Sequence, residues 1–281
     1  MNLQQKLALT YLRLKIRLLR LFSTKAAAAE AFKIFCTPFS SSVRKPKEAF
    51  SAADQIEFDW NGLHIYGYDV NRTAEKKLLL LHGFSSNCNN FEKYVAPAVA
   101  KGYRVFAFDA PAHGRSSGRQ TNALEYAGFI TELHKRYGPF NAFISHSFGG
   151  LALCLAMEEL PHDEKTKMVL IAPATETSSA IDGAFRTLNI HDQEIRREFE
   201  SLIFRISGKK ANWFSVGRAM HRIRAEVLWI HDEDDDITPA ADAHVVEADA
   251  HPNIRFIFTR NLGHRKIYRD TEQMANVIGF I

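Results

Sequence analysis

Six short apolar runs recur along the 281-residue chain, at 77–81, 105–109, 140–145, 168–172, 225–231 and 254–259. Runs of this length without polar alternation suit strands buried on both faces. Between them lie stretches with helical spacing of apolar residues, at 91–100, 124–137, 148–159, 242–250 and 271–280. Strand and helix alternate, so the reading is an α/β fold with a mostly parallel sheet, helices on both faces and ligands outside the carboxyl ends of the strands. Residues 55–60 and 63–68, separated by Asn61-Gly62, predict a tight hairpin that adds an antiparallel edge and brings the sheet to eight strands.

Hydrophobic residues make up 46% of the chain and charged ones 24%, which fits one large buried core and excludes disorder as the main state. The net charge of +4 is unevenly placed: Lys6, Arg13, Lys15, Arg17, Arg20 and Lys25 all precede the first acidic residue, Glu30. The remainder is close to neutral, which argues against a nucleic-acid partner. Leu3, Leu7, Tyr11, Leu14, Leu18 and Phe22 recur every three to four residues among those cations, the pattern of a basic amphipathic helix. Its charges exclude a membrane span and interrupt the apolar centre that a signal peptide needs. The alanines at 26–29 are expected to be helical rather than a cleavage site. Two placements lead for residues 1–25, with a transit peptide as the third: the helix packs on its own protein or on a second copy, or its apolar face lies in an anionic membrane surface. Cys36, Cys88 and Cys154 have neither disulfide nor zinc-ligand spacing, so the expected compartment is the reducing cytoplasm, with the inner membrane surface as the peripheral alternative.

The polar, turn-rich stretch 40–47 separates an N-terminal helical segment, 1–47, from a main domain over 48–281. Within that domain, residues 175–224 are too long for a simple connection between two strands. Ile195, Phe199, Leu202 and Ile206 give this insertion a helical apolar face, and it reads as a cap over the active site. Phe185, Leu188, Phe204, Trp213 and Phe214 are the candidates for an acyl pocket, against the plainer reading that they pin the cap in place.

Ser145-His146-Ser147-Phe148-Gly149-Gly150 follows the run at 140–144. A serine between small residues on a sharp strand-to-helix turn has its hydroxyl pushed out above the sheet, which makes Ser147 the candidate nucleophile. Serine needs a base, and the base needs an orienting carboxylate. His264 stands in the loop after the last core strand, and the acidic turn Asp232-Glu233-Asp234-Asp235-Asp236 follows the strand before it. Upstream, the run at 78–81 ends in His82-Gly83-Phe84; the backbone N–H groups of Phe84 and Phe148 are placed to hold an oxyanion. His82, His113 and His146 read as loop-bracing or packing residues. The acidic run lacks the spacing and central glycine of a calcium loop, so no metal site is expected there or elsewhere, and no cofactor is needed.

Taken in order, His82-Gly83-Phe84, the segment from Asp109 to Ser116, the serine turn, the acidic turn ending in Pro239, and Gly263-His264 resemble the α/β-hydrolase superfamily, of the esterase and lipase kind with a helical cap. The resemblance covers residues 54–281 and preserves the order Ser, Asp, His. It implies a carboxylic ester as the small-molecule substrate and an acyl-enzyme intermediate. Aligning His231 and Pro239 with the family pattern His-Gly-x-x-Asp-x-x-Val-Pro puts the carboxylate on Asp235, with Asp234 and Asp236 as rivals. One departure is Ser145, where the family has glycine. The same triad also suits thioester, amide or carbon–carbon bond hydrolysis, and a non-catalytic binding member of the fold is the alternative from another class.

Overall fold

The structure, a computed structural model, describes residues 3–39, 48–51 and 53–281. The stretch at 40–47 lies outside the described residues. Eight strands, β1 (Asp54–Trp60), β2 (Leu63–Val70), β3 (Lys76–Leu81), β4 (Tyr103–Phe108), β5 (Ala142–His146), β6 (Lys167–Ile171), β7 (Glu226–Asp232) and β8 (Ile254–Thr259), form one sheet. Its order is β1-β2-β4-β3-β5-β6-β7-β8. The pairs β1–β2 and β2–β4 are antiparallel and every other pair is parallel. The hairpin forms as expected, because Asn61 and Gly62 both adopt positive φ, 49° and 76°, which matches the twist of the strands they join.

Twelve α-helices complete the described chain: α1 (Leu3–Phe22), α2 (Thr24–Phe35), α3 (Glu48–Ser51), α4 (Glu92–Ala100), α5 (Ala123–Tyr137), α6 (Phe148–Met157), α7 (Thr177–Leu188), α8 (Gln193–Ser207), α9 (Val216–Met220), α10 (Ala240–Ala248), α11 (Gly263–Lys266) and α12 (Thr271–Phe280). Two compact units result, and they do not follow chain order: Pro38–Thr175 with Ser215–Ile281, and Met1–Thr37 with Glu176–Phe214.

In the sheet unit, alternate residues explain the two helical layers. Leu78, Leu80, Ala142, Ile144, Val169 and Ile171 point to one face and share a buried cluster with Tyr94 and Val95 of α4 and Val277 of α12. The intervening residues face the other way, where Phe106 and Phe108 of β4 meet Tyr137 and Phe129 of α5, with ring centroids 5.2 and 6.2 Å apart. Burial on both faces accounts for the unbroken apolar runs, each Leu or Ile contributing roughly 1.5–3 kcal/mol.

The helical unit is organised around Phe199 of α8, which is 1% exposed and is met edge-on by Phe32 and Phe35 of α2 and Phe185 of α7. Ser23 caps α2 by accepting from Ala26 N, and Asp192 caps α8 by accepting from Glu194 N and Ile195 N. One expectation is corrected here. The buried side of α8 is Ile195, Phe199 and Ile203, whereas Ile206 is exposed, because a residue two turns past Phe199 drifts off the face that the neighbours cover. The apolar stripe of α1 points outward: Leu7, Tyr11, Leu14 and Leu18 are 50–63% exposed, and Ile16, at 2%, faces inward. Two half-exposed cations of the same helix find partners in the unit. Arg13 donates to Thr187 O, and Arg20 reaches Asp192 at 2.6 Å and Glu194 at 2.7 Å. Among the described residues no helix is long and apolar enough to cross a membrane.

Candidate active site

Parallel strands deliver their carboxyl ends to one edge of the sheet, and three of them carry Ser147, Asp235 and His264 in the segments that follow. Ser147 sits between β5 and α6 with φ 54° and ψ −122°. A non-glycine residue there costs of order 1–3 kcal/mol, so the surroundings must hold it. They do so through Ser147 N to Ile171 O at 3.0 Å, Ala174 N to Ser147 O at 3.0 Å and Gly150 N to Ser147 O at 2.9 Å.

Close approach explains the small neighbours. A Cβ on Gly83 would lie 3.0 Å from Ser147 Cβ, and one on Gly149 would lie 2.7 Å from the carbonyl oxygens of Leu81 and His82. Ser145, fully buried, fits because its hydroxyl donates to Val169 O at 2.9 Å, so the departure from glycine leaves no polar group unsatisfied.

His264 Nε2 lies 3.0 Å from Ser147 Oγ, and His264 Nδ1 lies 2.8 Å from Asp235 Oδ2. Asp234 and Asp236 are exposed, and Asp234 Oδ2 accepts from Asn261 N instead. Asp235 Oδ1 accepts from the amides of Ile237 and Thr238 at 2.9 and 2.8 Å. Burial pushes the Asp235 carboxyl up, but the hydrogen bond and charge of His264 and these amides outweigh it, and the net shift is down. The carboxylate therefore stays ionised beside the imidazole.

Two residues that the sequence reading passed over complete this network. Thr238 Oγ1 stands 2.9 Å from Asp235 Oδ2 and 3.0 Å from His264 Nδ1. Asp232, fully buried, occupies the position of glycine in the family pattern. Its Oδ1 accepts from Gly263 N at 2.8 Å and Asp234 N at 3.1 Å, and its Oδ2 accepts from Thr259 Oγ1 at 2.6 Å and Leu262 N at 3.1 Å. One carboxylate thus ties the acidic turn to the loop that carries His264. The only sequence sign was an acidic residue in place of the expected glycine.

Three further histidines near the edge, His82, His113 and His146, are neutral braces. Ala110 N donates to His82 Nε2 at 3.0 Å, which requires that nitrogen bare, and Nδ1–H donates to Gly83 O at 2.8 Å. That carbonyl belongs to the peptide whose N–H is Phe84's, so His82 fixes the direction in which the amide points. His113 Nε2 accepts from Ser85 N at 3.0 Å, and its Nδ1–H donates to Pro111 O at 2.9 Å. His146 Nε2–H donates to His264 O at 3.0 Å, and its ring packs on those of His264 and Tyr268. Burial drives all three down, His82 to about 4 and His113 and His146 to about 3. The rings of Phe84 and Phe148 meet edge-to-face at 5.5 Å, so the two amide-bearing loops are packed together.

The candidate pocket residues all belong to the helical unit. Phe185 and Leu188 are buried there, Phe185 against Phe199; Trp213 and Phe214 meet edge-to-face at 5.1 Å; Phe204 is 53% exposed.

The profile of the alpha/beta hydrolase family matches residues 78–277, and the chain belongs to that family. Over 109 residues it is 27% identical to a Mycoplasma genitalium protein named "Putative esterase/lipase 2", a match that spans 37% of this chain and 40% of that protein. Among solved structures, an esterase of Pyrococcus furiosus is similar with a TM-score of 0.65 at 18% identity, over 87% of this chain and 96% of the other. A bacterial membrane phospholipase A is similar with a TM-score of 0.61 at 17% identity, over 99% of this chain and 98% of the other. At such identities the solved structures share the fold.

Proposed function

We propose that the protein is a serine hydrolase that cleaves carboxylic esters through an acyl-enzyme. The observation that carries this reading is the relay of 3.0 and 2.8 Å from Ser147 Oγ through His264 to Asp235. In the proposed reaction Ser147 Oγ attacks the ester carbonyl as His264 Nε2 takes its proton. His264 then gives that proton to the departing alcohol, takes one from the water that attacks the acyl-enzyme, and returns it to Ser147 Oγ as the acid leaves. Asp235 keeps Nδ1–H directed away from Ser147. The amides of Phe84 and Phe148 stabilise the tetrahedral oxyanion, each by about 3 kcal/mol in sites of this kind. Ester chemistry is supported by the esterase and lipase names among the relatives, and no cofactor takes part. A fluorophosphonate probe is expected to label the wild type and not Ser147→Ala; nitrophenyl esters of increasing chain length then define the acyl preference. Labelling that survives in Ser147→Ala would place the nucleophile elsewhere, and turnover of thioesters or amides far above that of esters would change the substrate class.

Asp232 is a positioning residue in this scheme, since it holds the backbone on both sides of the His264–Asp235 contact. Asp232→Asn is expected to lower kcat by about 10²-fold, the scale of a 1 Å misplacement of a catalytic group, with KM nearly unchanged. An unchanged kcat would show that the loops hold their places without the carboxylate.

The outward stripe of α1 extends the proposal to an interface: Leu7, Tyr11, Leu14 and Leu18 are exposed, and a membrane phospholipase A shares the fold along the whole chain. The reading is that this stripe rests on a lipid aggregate. Leu14→Gln with Leu18→Gln is expected to lower hydrolysis of phospholipid vesicles by about tenfold or more while leaving soluble esters unaffected, because each leucine removed from lipid costs roughly 1.5–3 kcal/mol. Equal loss on both substrates, or a dimer that becomes a monomer in the variant, would refute lipid docking.

A further inference from the structure

At the opposite edge of the sheet, where β7 and β8 begin, two imidazoles and a carboxylate converge. His221 follows α9 as its C-cap, Asp249 is the C-cap of α10, and His251 lies two residues further on. Among the described residues these three form a group in which one potential ligand atom from each lies within 4.8 Å of the others. His251 Nε2 stands 4.0 Å from Asp249 Oδ2, and the rings of His221 and His251 are 4.8 Å apart. The His251 side chain is only 11% exposed, and its Nε2 atom is buried with no hydrogen-bond partner among the described residues. A buried nitrogen left without a partner calls for one.

We infer that His221, Asp249 and His251 form a binding site for a first-row divalent transition ion of the Zn²⁺ class. Two neutral imidazoles and one carboxylate are the donor set such ions prefer over Mg²⁺ or Ca²⁺, which favour all-oxygen shells. Tetrahedral coordination places ligand atoms about 3.4 Å apart, so the triangle must contract, and Asp249 and His221, both exposed, have room to turn. The backbone beneath is already fixed, because Asn253 Nδ2 donates to Ile223 O at 2.9 Å and to Ala225 O at 2.8 Å. Electrostatics agree. The carboxyl ends of α9 and α10 both point here, with their partial negative charge. The nearby cations Arg222 and Arg224 are turned toward Glu159 and Glu164. Water would fill the remaining coordination position. The bound ion would staple the α9–β7 connection to the α10–β8 connection, a structural role separate from the ester chemistry at the other edge.

Calorimetry of the full-length protein with Zn²⁺, alongside Mg²⁺, tests this, together with Co²⁺ absorption and melting curves. One Zn²⁺ per chain is expected, with a rise in Tm of about 3 °C at saturation and no response to Mg²⁺. His221→Ala, at an exposed position, is expected to weaken binding at least tenfold without unfolding the protein, and His251→Ala to do the same. Binding weaker than about 1 mM, equal binding of Mg²⁺, or Zn²⁺ affinity unchanged in His221→Ala would each overturn the site. Because the readout is binding and Tm, it is independent of whether Ser147 is a nucleophile.

Discussion

Ser147→Ala and His264→Ala are each expected to lower kcat toward esters by on the order of 10⁵-fold or more, and the double variant to lose scarcely more than either alone. The reason is that the hydroxyl and the imidazole, 3.0 Å apart, act as one unit: an alcohol without its base is a poor nucleophile, and a base without the alcohol has nothing to activate. Activity that remains, about 10³-fold above the uncatalysed rate, is expected to come from the Phe84 and Phe148 amides and from substrate binding. KM is expected to change little, since neither side chain supplies ground-state binding. Steady-state kinetics of the two single variants and the double variant on a soluble nitrophenyl ester check this. Effects that multiply, or a His264→Ala enzyme within tenfold of wild type, would dissolve the relay.

A steep loss of stability in mild acid is the second large effect. His82, His113 and His146 are held neutral in the folded protein, His82 down to about 4 and the others to about 3, by burial. In the unfolded chain a histidine titrates near 6.5. Between these values the unfolded state carries protons that the folded state refuses, so unfolding becomes easier as pH falls. Their contribution is complete above about pH 6.5 and is lost as pH drops toward the folded values. Each group costs about 1.4 kcal/mol per pH unit in that window, hence about 6 kcal/mol for the three at pH 5, comparable with the whole stability of many domains. His231 adds to the trend: burial lowers it, its Nδ1 accepts from Trp229 Nε1 and its Nε2–H donates to Thr238 O. Protonation would set an N–H against the amides that now donate to His82 and His113. Asp235 and Asp232, both shifted down, contribute stability above the ordinary carboxylate range that is lost only at still lower pH. Urea unfolding at pH 7.5, 6 and 5 is expected to show a slope near three protons, reduced by about one in His113→Gln. A slope of one proton or less would mean that these rings are not held neutral together.

Much of the sheet unit was legible because its signals are local. An apolar run of five or six residues announces a doubly covered strand, Asn61-Gly62 announces the hairpin, and a serine flanked by small residues announces a sharp turn. The strand starting at Ile254 and ending at Thr259, and the helix Thr271–Phe280, have the bounds expected of them. The choice of Asp235 rested on a family pattern, and burial of Asp235 with exposure of Asp234 and Asp236 came only with the fold. For α1 the periodicity was real, but two apolar faces competed. Ile16 took the inward position, and Arg13 and Arg20 found partners at Thr187, Asp192 and Glu194, more than 170 residues away. No window of sequence contains that choice.

What the amino-acid order alone determined is therefore most elements of the sheet unit and the candidates for the reactive side chains, since periodicity, turn chemistry and residue type are properties of neighbours along the chain. Only the tertiary structure decided that Asp232 ties two loops together, which partners His82, His113 and His146 brace and that burial holds them neutral, and that His221, Asp249 and His251 meet. Each of these depends on which donor or acceptor a side chain faces across the fold, and hydrogen bonding and desolvation act over a few ångströms of space whatever the separation in sequence.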